Sequence, residues 1–130
     1  MSRRELDVDG LPAPISHYAD AVLAGDTLYI SGIVPVDEHG AVVGEDVVAQ
    51  ARQVFELMGR VLAAAGATPG DVAKVTVYLL DIDDRPQINP VREAFFGDAR
   101  PASTLVEVSR LAVPGALLEI EAIAHLGQQQ

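Results

Sequence analysis

The run Leu117–Ala124, LLEIEAIA, constrains the fold more than any other part of the chain. In an extended strand successive side chains point to opposite faces. Leu118, Ile120 and Ala122 therefore share one face, while Glu119 and Glu121 share the other with Ile123. Such a strand needs an apolar layer on one side. On the other side the carboxylates need solvent, a partner subunit or a ligand, because charged groups are rarely buried unpaired. A second β-prone run, Ser103–Leu111, comes before it, with Val113-Pro114-Gly115 between the two. Pro fixes φ and Gly permits positive φ, so this tripeptide is a turn signal. The spacing predicts a C-terminal hairpin.

The rest of the chain supplies the partners. Tyr18–Ala24 and Thr27–Gly32 flank Gly25-Asp26 and predict another hairpin. Residues 1–16, with Pro12 and Pro14, read as an extended entry segment. Pro35 interrupts the chain soon after Gly32; Val36–Gly40 is a turn, and Ala41–Gly44 is a candidate short strand. From Asp46, apolar residues recur at Val47, Ala51, Val54, Met58, Val61 and Ala65, the 3–4 spacing of an amphipathic helix. Gln50, Arg52, Gln53, Glu56 and Arg60 lie mostly off that stripe, and Gly66 ends the element. Thr68-Pro69-Gly70-Asp71 reads as a capped single turn. Val72–Leu80 is apolar on both faces, as an interior strand covered on both sides would be. Asp81–Asp84 offer caps for a second helix, Arg85–Phe96, closed by Gly97. Pro86 is tolerated in its first turn, but Pro90 removes an amide and predicts a kink or restart at Asn89.

The order β-β-(β)-α-β-α-β-β makes one two-layer α+β domain over residues 1–130, two helices on one sheet face, with a polar tail at 127–130. The uncovered sheet face, mixed apolar and acidic, predicts self-association into a closed oligomer.

Composition narrows the function. Nineteen acidic against nine basic residues give a net charge of −10. Phosphate-neutralising basic patches and attraction to anionic membranes are both disfavoured. Cysteine is absent, which excludes a disulfide framework, a thiol nucleophile and a zinc–thiolate site. His17, His39 and His125 are too scattered to suggest a metal site. The first ten residues lack the apolar run of a signal peptide, and no stretch approaches the ~18 apolar residues of a membrane span. A soluble cytoplasmic protein without a metal is the expectation. A carboxylate in an apolar strand has its pKa raised, so Glu119 is a candidate water-activating base. The alternative is an ion pair across the hairpin, with Arg110.

At this level of detail the chain resembles the RidA/YjgF superfamily, the reactive intermediate deaminases. The agreement spans roughly residues 15–125: Tyr18 with Ala21-Val22, LYISG at Leu28–Gly32, Pro35, Ala65-Gly66, VTVYLLD, INPVREAFFG and, above all, RPASTLVEVSRL…LLEIEAIA. The resemblance implies a chorismate-mutase-like fold with a mixed sheet. It also implies a homotrimer with ligand clefts between subunits, and hydrolysis of enamines and imines, such as 2-aminoacrylate, with no metal or organic cofactor. The site it implies is Tyr18, Ser31, Gly32, Asn89 and Glu119. Glu119 would position or activate water, Ser31 and Asn89 would bind the substrate, and Tyr18 would wall the cleft. Each also has a plain structural reading: Ser31 ends a strand, Asn89 caps a helix, Tyr18 is a rim aromatic. One position departs from the pattern. Where the archetype carries an Arg that clamps the substrate carboxylate, two residues after the Pro of Pro101-Ala102, this chain has Ser103, a pocket hydroxyl or a neutral filler. A serine cannot give a guanidinium's bidentate grip. Arg92, Arg100 or His17 are the candidate replacements; His17 itself replaces the usual Pro before the Tyr, and Ile33-Val34 stand where the archetype often has Gln. The expectation is a divergent small-molecule hydrolase acting on an imine or enamine other than a simple 2-imino acid. A non-catalytic, metabolite-binding trimer is the second reading.

Overall fold

A computed structural model describes residues 2–126; the polar tail expected at 127–130 lies outside the described residues. The long helix α1, Val47–Ala64, forms where the apolar period placed it. Asp46, extended at φ −134°, accepts from the Ala49 N–H at 2.8 Å and caps its first turn. Val47, Ala51, Val54, Met58 and Val61 are buried along one stripe. Gly66, at φ +77°, takes the left-handed conformation that ends the helix. Thr68 and Asp71 then close the capping box of a 3₁₀ turn over Pro69–Asp71.

The strands are β1 (Arg3–Leu6), β2 (Ala21–Ala24), β3 (Thr27–Ile33), β4 (Val72–Leu79), β5 (Ala102–Glu107) and β6 (Leu118–His125). They form one mixed sheet in the order β1-β2-β3-β6-β4-β5. The second helix, α2 (Arg85–Phe96), crosses over between β4 and β5, and this crossover makes those two strands parallel. All three phenylalanines meet where the helices touch. Phe55 of α1 lies 4.8 Å from Phe95, tilted against it, and 5.7 Å from Phe96, edge to face, ring centre to ring centre, which packs α2 against α1. Both helices cover one face. Leu28, Ile30, Val75, Val77, Leu118, Ile120, Ala122 and Ala124 point to that side and are essentially sealed from solvent. No helix among the described residues is long and apolar enough to cross a membrane.

The β2–β3 hairpin is present as expected, with Ala24 opposite Thr27. The C-terminal hairpin is not. The turn at Val113-Pro114-Gly115 forms, with Ala116 N–H to Val113 C=O at 3.2 Å, but β5 and β6 do not pair. β6 enters the middle of the sheet between β3 and β4, while β5 is left as an edge strand. The burial contrast explains the choice: β6 has one face wholly apolar and sealed, whereas β5 is exposed at five of six positions. The apolar strand takes two neighbours and the polar one takes the edge.

Four other expectations need correction. Arg3–Leu6, placed in an extended entry segment, is a sheet strand paired with β2. Ala41–Gly44 is no strand; only an isolated bridge joins Val42 to Val36. Pro90 does not restart α2, which runs through it from Arg85 to Phe96, so Asn89 sits inside the helix and caps nothing. The one amide Pro90 lacks would have met the carbonyl of Pro86, and both residues are exposed, so water can take that carbonyl. β4 is covered on one face only; Lys74, Thr76 and Tyr78 line its other, partly open face.

Gln50 is buried too, although it lay off the apolar stripe. Its amide donates to the carbonyls of Gly44 (3.2 Å) and Gly115 (3.1 Å) and accepts from the Leu117 N–H (2.7 Å). One side chain thus ties the loop between β5 and β6 to α1.

Candidate functional site

β3 does not run straight past β6. Ile30 pairs with Ala122 and Ile33 with Ile120, so Ser31 and Gly32 together oppose the single residue Glu121. This is a β-bulge, which bends a strand and re-aims its side chains. Gly32 is needed there for space: a Cβ would collide with the carboxylate of Glu119. Glu119 therefore lies directly against the bulge backbone.

Glu119 projects from β6 to the face that the helices leave open, opposite Tyr78 of β4. It is half-buried, and no cation pairs with it among the described residues; the pairing with Arg110 has lost the hairpin that would have made it. Burial, and secondarily the charge of Glu121, hold its pKa above the usual carboxylate value. Glu121 is engaged differently: it accepts from the Tyr78 hydroxyl at 3.2 Å.

The bulge is laced to the loop before β2. The Ser31 hydroxyl donates to the Ala19 carbonyl at 2.6 Å, and the Ser31 N–H to the Asp20 carbonyl at 3.0 Å. These bonds hold Tyr18, about half exposed, at the rim of an open groove of about 580 Å³ that also contains His17 and Ser31. Asp20, a buried carboxylate that sequence reasoning did not single out, accepts from the Val8 N–H at 2.9 Å. Burial raises its pKa. Its place two residues after Tyr18, at the head of an apolar strand, was the available signal.

Asn89 and Ser103 lie elsewhere. Both line a separate cavity of about 290 Å³, together with Arg92 and Arg100, between α2 and β5. Ser103 aligns with the buried Val75 and so points to the helix side of the sheet, whereas Glu119 points to the open side. β5 is three strands from β3, about 14 Å at the usual spacing. The structure thus brings Tyr18, Ser31, Gly32 and Glu119 into one neighbourhood and Asn89 with Ser103 into another. Of the three candidate replacements for the strand arginine, only Arg92 touches Ser103: its Nη2 donates to Ser103 Oγ at 2.8 Å. A groove of about 480 Å³ between α1 and α2 contains none of these residues. Among the described residues no three His, Asp or Glu side chains converge as a metal site requires.

Comparison with known proteins agrees with this architecture. Residues 10–126 match the family described as Endoribonuclease L-PSP. The chain is 40% identical over 119 residues to the 3-aminoacrylate deaminase RutC of Acinetobacter baylyi, covering 91% of this chain and 94% of that one. It is 40% identical over 124 residues to the 2-iminobutanoate/2-iminopropanoate deaminase of Salmonella typhimurium, covering 93% and 96%. The crystal structure of RidA from an Antarctic Psychrobacter superposes with a TM-score of 0.88 at 36% identity, over 95% of this chain and 99% of that one. With the bulge, the central acidic strand and the six-stranded sheet all in place, the chain belongs to the RidA/YjgF superfamily, the Endoribonuclease L-PSP family.

Proposed function

We propose that the protein hydrolyses a small imine or enamine to a carbonyl compound and ammonia, in a cleft completed by a second copy of the chain. The observation that carries this is Glu119: a half-buried carboxylate without a counter-ion among the described residues, its pKa raised, seated against Gly32 beside Ser31. A carboxyl group poised nearer neutrality can give and take a proton in one cycle. An enamine takes a proton at its β-carbon and becomes an iminium. Water then adds to the iminium carbon: the C–O bond forms, the C=N π pair moves to nitrogen, and the water's proton passes to Glu119. Glu119 returns that proton to nitrogen, the C–N bond breaks as the C=O forms and ammonia leaves, and the hydroxyl proton is released to solvent, which replaces the one taken up at the β-carbon.

The two half-sites of one protomer do not converge, which supports an assembly in which the bulge of one copy faces the α2–β5 edge of the next. The open sheet face suits such contact, with Tyr29, Ile123 and Val106 exposed on it. Two relatives carry deaminase names, one for 3-aminoacrylate and one for 2-imino acids. Ser103 in place of the archetype's arginine argues for a substrate other than the simplest 2-imino acids, its acid group, where present, held from elsewhere. Cleavage of RNA is disfavoured by the net charge of −10.

The test is a carbonyl- or ammonia-coupled assay with freshly generated 2-iminobutanoate, 3-aminoacrylate and a carboxylate-free imine. Wild type should accelerate at least one, and Glu119→Gln should lose roughly 10³-fold in turnover. Equal rates for the two proteins would refute the assignment. Tight binding of a keto acid without any turnover would favour a metabolite-binding trimer instead.

A further inference from the structure

Arg92 stands out among the charged side chains. It projects from α2, is half-buried, and its only hydrogen-bond partner among the described residues is the Ser103 hydroxyl, 2.8 Å away. The ion pairs among the described residues are Arg3–Glu5, Glu38–His39 and Glu56–Arg60; none involves Arg92. Glu93 lines the same cavity but is not within ion-pair distance of the guanidinium. A guanidinium carries five N–H donors and stays charged even when partly desolvated. One serine oxygen satisfies one donor. The cavity of about 290 Å³ beside it also presents Asn89 and Arg100. A half-buried cation with no counter-ion is uncommon in any protein and more so in a chain of net charge −10.

We infer that Arg92, propped by Ser103, is the anion-binding group of this cavity, and that the ligand carries a carboxylate or a similar planar oxoanion. The strand position that bears the archetype's arginine has become the prop, and the cation now arrives from the helix. The cation is thus held back against β5 rather than projecting from it, so the acid group of a ligand must reach inward to meet it. The inference rests on the deaminase reading only for its account of the ligand's other end.

The test separates the two. Binding of 2-oxobutanoate and of 2-butanone, its carboxylate-free counterpart, is measured by NMR titration or calorimetry. The proteins are wild type, Arg92→Met, Ser103→Ala and the double variant Arg92→Met/Ser103→Arg. Methionine keeps the aliphatic stem packed and removes only the charge. Wild type should bind 2-oxobutanoate and discriminate against 2-butanone. Arg92→Met should bind 2-oxobutanoate roughly 10- to 100-fold more weakly, the usual worth of a charged hydrogen-bond pair. Ser103→Ala should weaken it a few-fold, and the double variant should recover binding. Equal affinity of wild type and folded Arg92→Met, or no preference over 2-butanone, overturns the inference even if Glu119-dependent turnover is intact. Arg92-dependent binding without any turnover upholds it and removes the deaminase reading instead.

Discussion

The bulge at Ser31-Gly32 and the cavity between α2 and β5 are built on opposite principles. The first is fixed by backbone: Ser31 is laced to two carbonyl-bearing neighbours, and the Glu119 carboxylate fills the space that a Cβ at Gly32 would need. The second is made of side chains on an exposed edge strand and one helix face, joined by the hydrogen bond from Arg92 to Ser103. The difference teaches where such a fold can vary. Under the proposed function, proton transfer would be tied to the sheet's centre and recognition of the ligand's charge carried at its rim.

Among changes that leave Glu119 and Arg92 themselves in place, the largest effect should come from Gly32→Ala. Its methyl would displace the Glu119 carboxylate, and a misplacement of that order costs about 10²-fold in turnover. Steady-state kinetics beside a circular dichroism spectrum would check it. Unchanged kcat/KM would mean that the backbone-fixed half is not where the chemistry occurs. Gln50→Ala comes next, because Gln50 pins the loop joining β5 to β6, the covalent link between the two regions. It removes three part-buried hydrogen bonds, to the backbone of Gly44, Gly115 and Leu117, and should cost about 2 kcal/mol in denaturant unfolding. A cost near zero would show that the loop needs no pin.

The smallest effect is one of pH. The folded-state pKa of Glu119 is raised above its ordinary 4.5, so folding favours its protonated form. That contribution is fully present below the unfolded value and is lost as pH rises through the folded one. Relative to wild type, Glu119→Gln should therefore gain stability as pH rises above about 4.5 and level off once pH has passed the folded-state value. Asp20 has a shift of the same sign but is present in both proteins and cancels. Melting temperatures from pH 4 to 8 read this directly; parallel curves would mean that Glu119 is as well solvated folded as unfolded.

Elements whose signal is local could be read from the sequence. α1 announced itself by its apolar period, its Asp46 cap and Gly66, and β6 by its strict alternation. Pairing partners were not legible, since the same turn residues that suggested a hairpin also serve a loop that skips a strand. β1 was missed because Arg3–Leu6 has one buried residue in four and no alternation to detect. Glu119 and Gly32 could be named singly, yet their contact depends on the β3–β6 register, which no local pattern encodes. Arg92 could be named only as one of three alternatives, because its approach to Ser103 from α2 depends on how the helix packs beside β5, which no local pattern encodes.

The position of β6 also bears on how the molecule is made. It comes after every other strand in sequence and yet fills the middle of the sheet. On the ribosome, β1–β3 and the β4–α2–β5 unit must therefore wait as two half-sheets, each with a bare inner edge open to stray β-pairing. Of these six strands it is the last to be synthesised, and it acts as a keystone. Any premature stop before Leu118 would release not a shortened protein but a sticky one.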